Sequence, residues 1–265
     1  MYDERSIWEA ENILNKLRLK IVRLSMLKQE GHIGSSFSIL HILYHVYSNV
    51  IESTKSVALD KFVLSKGHAS LGLYAVLNHF SQISDAELES FCDFNSGLGG
   101  HPHSGKHGSL VASTGSLGHG LPISVGLALG KLINREGGRI YCLIGDGEAN
   151  EGAVWEAALL ASEHNLSNLT CIMDMNGSGE RAIKMGNVKE KFVSFGFECT
   201  VVDGHNLNEI AEAFGVCEYL HKPKFILANT IKGKGVSRME NNPEWHHKFP
   251  TQREYDEICL EINQL

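Results

Sequence analysis

The chain has 265 residues and a formal net charge of −7, an acidic balance that excludes the basic surface needed to bind nucleic acid. Its six cysteines lack the spacing of a metal site, and Cys142 and Cys171 fall within apolar runs, which favours reduced thiols in a cytoplasmic protein. The initial sequence MYDERSIWEA is not a secretory signal, and no apolar run is long enough to cross a membrane.

The first part of the chain predicts mostly helices, because apolar residues recur at helical spacing. The predicted elements are helices over residues 7–28, 39–50 and 71–80 and a strand over residues 62–64. The segment 31–36 is expected to interrupt the first two helices. Ser84 and Glu87 have the spacing of a capping box, which predicts the start of a further helix.

A glycine- and histidine-rich segment, residues 96–120, separates this part from the rest of the chain. A loop of this length inside a compact domain is more often functional than structural. The elements predicted beyond it are helices over 121–133, 188–195, 207–220 and 252–265, strands over 140–144, 169–173, 199–202 and 225–230, and an irregular tail over 232–250. This alternation predicts an α/β fold, with a mostly parallel sheet and helices on both faces, in one domain over residues 1–265.

A strand, a crossover helix and a second strand over residues 140–178 organise the chain. The first strand leads to Asp146, which stands between two glycines, and the second leads to Asn176. An amphipathic helix is expected between them, with Ala158 on its apolar stripe and Leu159 beside it. Because a right-handed crossover places the ends of both parallel strands at one edge of the sheet, Asp146 and Asn176 are predicted to be neighbours.

One carboxylate oxygen and one amide oxygen at that edge suit Mg²⁺, which takes one or two protein groups and completes its shell with phosphate and water. A diphosphate ligand fits this expectation, helped by the backbone N–H of Gly147 and the start of the following helix. An isolated Gly-Asp-Gly could equally be a turn and Asn176 a polar strand end. The second strand at the right distance favours the metal site.

Five short motifs connect the chain to a known family. They are GHIGSS (31–36), FVLSKGHASLGLY (62–74), GGHPH (99–103) with STGSLGHG (113–120), GDGEANEGAVWEA (145–157) and NTIKGKGVSRMENNPEWHHK (229–248). Together, and in this order, they resemble the transketolases. The resemblance implies a three-layer thiamine-diphosphate-binding fold, thiamine diphosphate and Mg²⁺ as cofactors, and transfer of a two-carbon ketol unit from a ketose to an aldose acceptor, with sugar phosphates as the expected substrates.

The resemblance also implies a role for each matched residue. Catalytic roles would fall to His32, His101, His246 and Glu151, the last reaching across a subunit interface. Thiamine diphosphate would be bound by His68, Gly115, Ser116, Leu117, Gly147, Asn176 and His246. The Mg²⁺ ligands would be Asp146, Asn176 and the carbonyl oxygen of Ser178. Glu151 could also act as a helix N-terminal acid that complements the helix dipole.

The other histidines divide into two groups. Five of them lie on predicted helices or outside the motifs and are interpreted as structural: His41, His45, His79, His164 and His221. Five more flank matched residues, and the sequence leaves their roles open: His103, His107, His119, His205 and His247. The chain departs from the family pattern at three positions, where proline, glutamine and glycine are more usual: Ile33, His119 and His247.

Two alternative functions remain beside the first. One is the α subunit of a thiamine-dependent 2-oxo-acid dehydrogenase, against which the histidine motifs argue, and the other is a non-catalytic paralogue that binds a partner. The resemblance covers only the first part of a full-length transketolase. A separate partner polypeptide is therefore expected to carry the pyrimidine-binding and C-terminal domains, with two copies of each chain in a heterotetramer. The donor and acceptor sugars cannot be read from this sequence.

Overall fold

A parallel sheet forms the centre of the molecule. The computed structural model describes residues 1–51, 60–179, 182–215 and 221–264, and within these residues the sheet has five strands. They are β1 (Lys61–Leu64), β2 (Ile140–Gly145), β3 (Leu169–Met175), β4 (Glu198–Asp203) and β5 (Lys224–Asn229). Their order is β1-β2-β3-β5-β4, and every neighbouring pair is parallel. The predicted α/β fold is thereby confirmed.

Helices cover both faces of the sheet. They are α1 (Glu4–Lys28), α2 (Ile33–Phe37), α3 (Leu40–His45), α4 (Ser70–His79), α5 (Asp85–Glu89), α6 (Gly120–Asn134), α7 (Gly152–Glu163), α8 (Val188–Ser194), α9 (Leu207–Gly215) and α10 (Gln252–Ile262). Side chains of β2 alternate between the two apolar layers: Ile140 and Cys142 pack with α6, α7 and α8, whereas Tyr141 and Leu143 pack with α1 to α4, α9 and α10. This alternation gives the three layers expected.

The expected interruption over residues 31–36 is wrong in part, because Ile33–Phe37 is a helix. Ile33 and Phe37 are one helical turn apart and both are completely buried, so their burial stabilises a turn that the glycine of this motif disfavours. The chain then continues through α3 into a π-helical turn, Val46–Val50. The predicted second helix is therefore divided into α3 and the π-helical turn. The break after α1 is also shorter than predicted, because α2 begins directly after His32.

Most other predicted boundaries agree within a few residues. The capping box is confirmed, since Ser84 accepts a hydrogen bond from the backbone N–H of Glu87 and the Glu87 carboxylate accepts one from the backbone N–H of Ser84. The tail contains a 3₁₀ turn, Pro243–Trp245. The last five residues of the helix predicted over 207–220 lie outside the described residues, as does residue 265. No helix in the described ranges is long and apolar enough to span a membrane.

The helix that crosses over between β2 and β3 turns its predicted apolar stripe towards the sheet. Ala158, on that stripe, is completely buried, and Leu159, beside the stripe, leaves 54% of its surface exposed. The strands that α7 connects are in register at their ends, with Gly145 opposite Asp174. Asp146 then donates its backbone N–H to the carbonyl oxygen of Asp174 over 3.1 Å. The two strand ends therefore meet at one edge of the sheet, as the crossover rule requires.

Candidate active site

A cavity of about 410 Å³ opens at the carboxyl edge of the sheet. It brings together most of the residues that the sequence singles out. Those that line it are His32, His68, His101, Gly115, Leu117, Asp146, Gly147, Asn176, Ser178 and His246. These residues come from all five motifs and, for Asn176 and Ser178, from the loop that follows β3. The fold therefore gathers all five motifs around one volume, in the crevice where open parallel sheets bind ligands.

Asp146 is held at the edge of the cavity by two backbone groups. Its carboxylate accepts hydrogen bonds from the N–H of Gly147 at 2.7 Å and from the N–H of Gly179 at 3.1 Å. A side chain at Gly179 would stand 2.8 Å from the backbone of Asp146, so this approach requires glycine. The N–H of Gly147, which the sequence suggests for a diphosphate, is donated to Asp146 in this structure.

The amide group of Asn176 is oriented by its neighbours. Its Nδ2 donates to the carboxylate of Asp174 at 2.7 Å, and its Oδ1 accepts from the N–H of Ser178 at 3.1 Å. One lone pair of Oδ1 remains to ligate a cation. The predicted proximity of Asp146 and Asn176 is confirmed, because the loop that follows Asn176 contacts Asp146 through Gly179.

A buried ion pair beneath the cavity was missed by the sequence reasoning. The ammonium group of Lys66, which follows β1, donates to the carboxylate of Asp174 near the end of β3, and both side chains are almost completely buried. Ser38 and Thr230 also donate to this carboxylate. Burial opposes the ionisation of Asp174, but the Lys66 charge and these hydrogen bonds outweigh it and lower the pKa of Asp174 below its ordinary value. The Asp174 carboxylate thus accepts hydrogen bonds from the side chains of both Lys66 and Asn176 and orients them.

Removing one member of this pair should strongly destabilise the domain. Lys66→Met should lower the free energy of unfolding by about 3–5 kcal/mol, because it leaves the Asp174 carboxylate buried without its counter-charge. Urea denaturation followed by circular dichroism measures the effect. The double variant Lys66→Met/Asp174→Asn should lose less than the sum of the single variants. Arg5→Ala, which removes an exposed ion pair with Glu9, is the matched control and should change little. Additive losses would contradict the coupling.

Glu148 is a second buried carboxylate that the sequence reasoning did not assign. It accepts hydrogen bonds from the hydroxyl of Ser65 and from the backbone N–H groups of Gly118 and Gly145. Burial raises the pKa of Glu148, although these three donors act in the opposite direction. The carboxylate joins the ends of β1 and β2 to the loop before α6. Its only sequence signal is its place two residues after Asp146, which fits the start of a helix equally well.

Three motif histidines form a cluster at one side of the cavity. The ring of His32 lies 5.1 Å from that of His68 and 5.3 Å from that of His246, measured between centroids. Burial, helped by two neighbouring histidines, lowers the pKa of His32 to about 4. Burial and the charge of Lys66 lower the pKa of His68 still further. Both imidazoles are therefore neutral near pH 7, when each can donate one hydrogen bond and accept another.

His101 and Lys232 complete the walls of the cavity. The ring of His101 packs on Gly115, where an added Cβ would come within 2.7 Å of the imidazole. Gly115 also has a φ of +138°, a conformation that other residues rarely adopt, so glycine is required here twice over. The ammonium group of Lys232 lies 2.6 Å from Nδ1 of His246 and 3.3 Å from the hydroxyl of Ser178. Lys232 stands in the last motif but was not assigned a role from the sequence.

Two predicted site residues, Ser116 and Glu151, do not line the cavity. Both are exposed at its rim: Ser116 stands between Gly115 and Leu117, which line the cavity, and Glu151 follows Asn150, which also lines it. Glu151 packs beside Gly118, where an added Cβ would come within 2.6 Å of the Cβ of Glu151. Glu151 occupies the N-cap position of α7 without a side-chain capping bond. Its carboxylate is thus available to a group from outside this chain, while its position also fits the alternative of a helix N-terminal acid.

Two of the histidines interpreted as structural are buried and hydrogen-bonded. The ring of His41 is hydrogen-bonded to Glu11 at 3.0 Å and to His205 at 3.3 Å. His45 is bonded to the hydroxyl of Tyr2 at 3.0 Å. His205, left open by the sequence, also accepts from the backbone N–H of Ile231. These contacts explain the burial of the three imidazoles without a ligand.

The donors at the sheet edge fit a hard divalent cation. Asp146 is only 5% exposed, and burial, with the nearby charge of Asp174, raises its pKa. A carboxylate in this position gains from a bound positive ion, which replaces the solvation that burial removes. The amide oxygen of Asn176 is the second oxygen donor. The same cavity has room for a ligand with phosphate groups beside Lys232 and the neutral histidines.

Comparison with known sequences identifies the family to which this chain is related. The family profile described as transketolase, thiamine diphosphate binding domain, matches residues 10–257. The chain is similar to one subunit of the apulose-4-phosphate transketolase of Phocaeicola vulgatus, with 33% identity over 259 residues that cover 94% of this chain and 92% of that protein. It is also similar to human transketolase, with 34% identity over 270 residues that cover 98% of this chain and 43% of that protein.

Solved structures agree with the sequence comparison. The transketolase of Campylobacter jejuni superposes with a TM-score of 0.78 at 26% identity, over 99% of this chain and 47% of that one. The chain therefore spans nearly all of the Phocaeicola protein and less than half of the human and Campylobacter transketolases. It belongs to the transketolase family, and its residues 10–257 form the thiamine diphosphate-binding domain of that family.

Proposed function

We propose that this chain is the cofactor-binding subunit of a two-component transketolase. With its partner it would transfer a two-carbon ketol unit from a ketose phosphate to an aldose acceptor, using thiamine diphosphate and Mg²⁺. The observation that carries this proposal is that one cavity gathers the three predicted cation ligands and all four motif histidines. The Phocaeicola relative, which is nearly the same length, is named as a subunit, and this supports the two-component organisation.

In this proposal Asp146 and Asn176 hold Mg²⁺ through side-chain oxygens and Ser178 through its carbonyl oxygen. A cation held there would neutralise the buried charge of Asp146 and would offer a positive charge to the diphosphate. Lys232, which contacts Ser178, adds a positive charge on the same side. Gly115, with Ser116 and Leu117 after it, offers a backbone edge that a flat ring can approach closely. When bound, thiamine diphosphate would supply a nucleophilic carbon for the ketose carbonyl and an electron sink for the two-carbon unit left when the adjacent C–C bond breaks.

The histidines would bind and orient the sugar. His32, His101 and His246 face one volume, and a neutral imidazole can donate to a carbonyl oxygen while accepting from a hydroxyl. The same groups can move a proton to or from a sugar hydroxyl near neutral pH. His68 is more deeply buried, beside Lys66, and would serve the cofactor instead.

An exposed apolar surface supports the proposal that this chain binds a partner. On the neighbouring helices α6 and α7 the side chains of Ile123, Ile133, Leu159 and Leu160 are exposed, and we name this surface the α6–α7 face. Apolar area of this kind on a soluble domain marks a site of protein interaction. The rim residue Glu151 begins α7, so a partner on this face would also reach the cavity.

A label-transfer experiment tests the proposed reaction. The chain is combined with its candidate partner, thiamine diphosphate, Mg²⁺, an aldose acceptor and a ketose phosphate labelled with ¹³C at its first two carbons. The label should appear in a product two carbons longer than the acceptor. Transfer of no label from any member of a panel of ketose phosphates would overturn the proposed activity.

The cavity histidines should separate into two roles in the same assay. His101→Ala should lower turnover by about 10²-fold, the usual scale of a lost proton-transfer or orienting group, and leave cofactor affinity nearly unchanged. His68→Ala should weaken cofactor affinity, measured by calorimetric titration. His103→Ala is the matched control, because that side chain is exposed and lies outside the cavity. Equal loss of cofactor affinity in the first two variants would show that the division of roles is wrong.

A further inference from the structure

Three side chains with metal-ligating atoms meet at the mouth of the cavity. Glu30 follows α1, His32 precedes α2, and His247 follows the 3₁₀ turn of the tail. The carboxylate of Glu30 lies 3.1 Å from Nε2 of His247, and the rings of His32 and His247 are 4.6 Å apart. One ligand atom from each residue lies within 4.8 Å of the other two. Two segments distant in the chain thus place two imidazoles and a carboxylate around one point.

The spacing of these atoms suits a small transition-metal ion. Zinc binds histidine nitrogen and carboxylate oxygen at about 2.0–2.2 Å, so neighbouring ligands of a tetrahedral site stand about 3.3 Å apart. The separation of Glu30 and His247 is already close to this value. His32 needs only a rotation of its side chain to approach them. An ion would replace the proton through which His247 now bonds to Glu30.

The state of each side chain also favours ligation. The ring nitrogens of His32 have no hydrogen-bond partner among the described residues, so one of them can bind an ion. The carboxylate of Glu30 accepts hydrogen bonds from the backbone N–H of Gly31 and from Nε2 of His247. The bond from the backbone N–H of Gly31, 2.9 Å long, also orients that carboxylate.

We propose that Glu30, His32 and His247 form a binding site for a divalent transition metal of the zinc class. Three protein ligands leave one coordination position of a tetrahedral ion open. Two imidazoles favour such ions over Mg²⁺, which prefers oxygen donors, so this site differs in kind from that of Asp146 and Asn176. The site gives a role to His247, which stands where the family pattern more often has glycine. It does not depend on the proposed transferase activity.

Calorimetric titration of the full chain with ZnCl₂, in millimolar Mg²⁺ to occupy oxygen sites, tests this proposal. One zinc ion should bind per chain. His247→Asn and Glu30→Gln should each weaken that binding by at least about tenfold, because loss of groups that merely support a ligand already costs 10–100-fold. His164→Asn is the control. That exposed residue follows α7 at the opposite edge of the sheet, since a crossover helix runs antiparallel to the strands.

Cobalt provides a second readout that does not rely on heat. Co²⁺ bound by two imidazoles and a carboxylate in tetrahedral geometry should give visible absorption bands in the wild-type chain and in His164→Asn, and these bands should be lost in His247→Asn. Both substitutions in the site change half-exposed or exposed side chains, and circular dichroism checks that the fold is kept. The proposal is overturned if no zinc binds, or if zinc binds equally well after both substitutions.

Discussion

Asp146→Ala should abolish the binding of thiamine diphosphate and Mg²⁺ to the reconstituted enzyme, lowering affinity by at least about 10²-fold. The substitution removes the charged oxygen ligand of the proposed cation. Without the cation, the diphosphate loses the electrostatic attraction of a divalent ion. The domain should remain folded, because Asp146 follows the last residue of β2 and loses only two hydrogen bonds. Calorimetric titration measures the affinity, and circular dichroism the fold.

The matched control is Asp203→Ala. Asp203 is also an aspartate at the carboxyl end of a parallel strand, but it is exposed and does not line the cavity. Its replacement should leave cofactor affinity unchanged. If the Asp146→Ala variant bound thiamine diphosphate and Mg²⁺ as tightly as the wild type does, the segment from β2 to β3 would not form the proposed metal site.

The same variant should change how stability depends on pH in the absence of cofactor. The pKa of Asp146 is raised in the folded state, so the folded protein holds this proton to higher pH than the unfolded chain. Stability therefore falls as pH rises from the ordinary aspartate range towards the raised pKa. The Asp146→Ala variant should lack this fall in stability with rising pH. In the wild-type protein, added Mg²⁺ should offset the same fall. Urea denaturation at several pH values compares the two proteins.

The parts of the site that could be predicted are those that follow from chain topology. Apolar runs locate the central strands, and the crossover rule alone brings Asp146 and Asn176 to one edge. The motif histidines are polar residues in loops, and the structure places four of them around the same cavity. Such features depend on local pattern and strand order, which the sequence displays directly.

The parts that could not be predicted depend on partners distant in the chain. Asp174 lies inside a buried strand, and nothing nearby shows that Lys66, more than one hundred residues earlier, neutralises it. Glu148 depends likewise on Ser65 and Gly118. The helical turn that begins at Ile33 follows from tertiary burial, which overrides the weak helix propensity of its glycine and serines. Each of these features is stabilised by contacts that form only after the helices and strands pack together, so the local sequence does not indicate it.

This chain alone should show no detectable ketol transfer, and the addition of a partner polypeptide with a pyrimidine-binding domain should restore it. Ser116 and Glu151 are exposed at the rim, so this chain does not enclose the cofactor on that side. The measurement is ketol transfer together with mass in solution, for each chain separately and for the mixture.

Cofactor should also stabilise the two proteins differently. A ligand stabilises only the state that binds it, so thiamine diphosphate with Mg²⁺ should raise the melting temperature of the complex far more than that of this chain alone. Full activity of this chain without a second polypeptide, or equal stabilisation of both samples, would refute the two-component proposal. It would leave the family membership intact, because that rests on residues 10–257 themselves.

Two substitutions of exposed leucines decide whether the α6–α7 face binds the partner. Leu159→Glu places a charge on that face and should weaken association by at least about tenfold, since burying an unpaired carboxylate opposes binding. Leu260→Glu is the matched control: Leu260 is 65% exposed on α10, which packs on the opposite side of the sheet. Both variants should fold as the wild type does, because neither leucine is buried. Weaker association in the first variant and not in the second locates the partner beside Glu151, where a carboxylate from this chain can meet the other half of the active site.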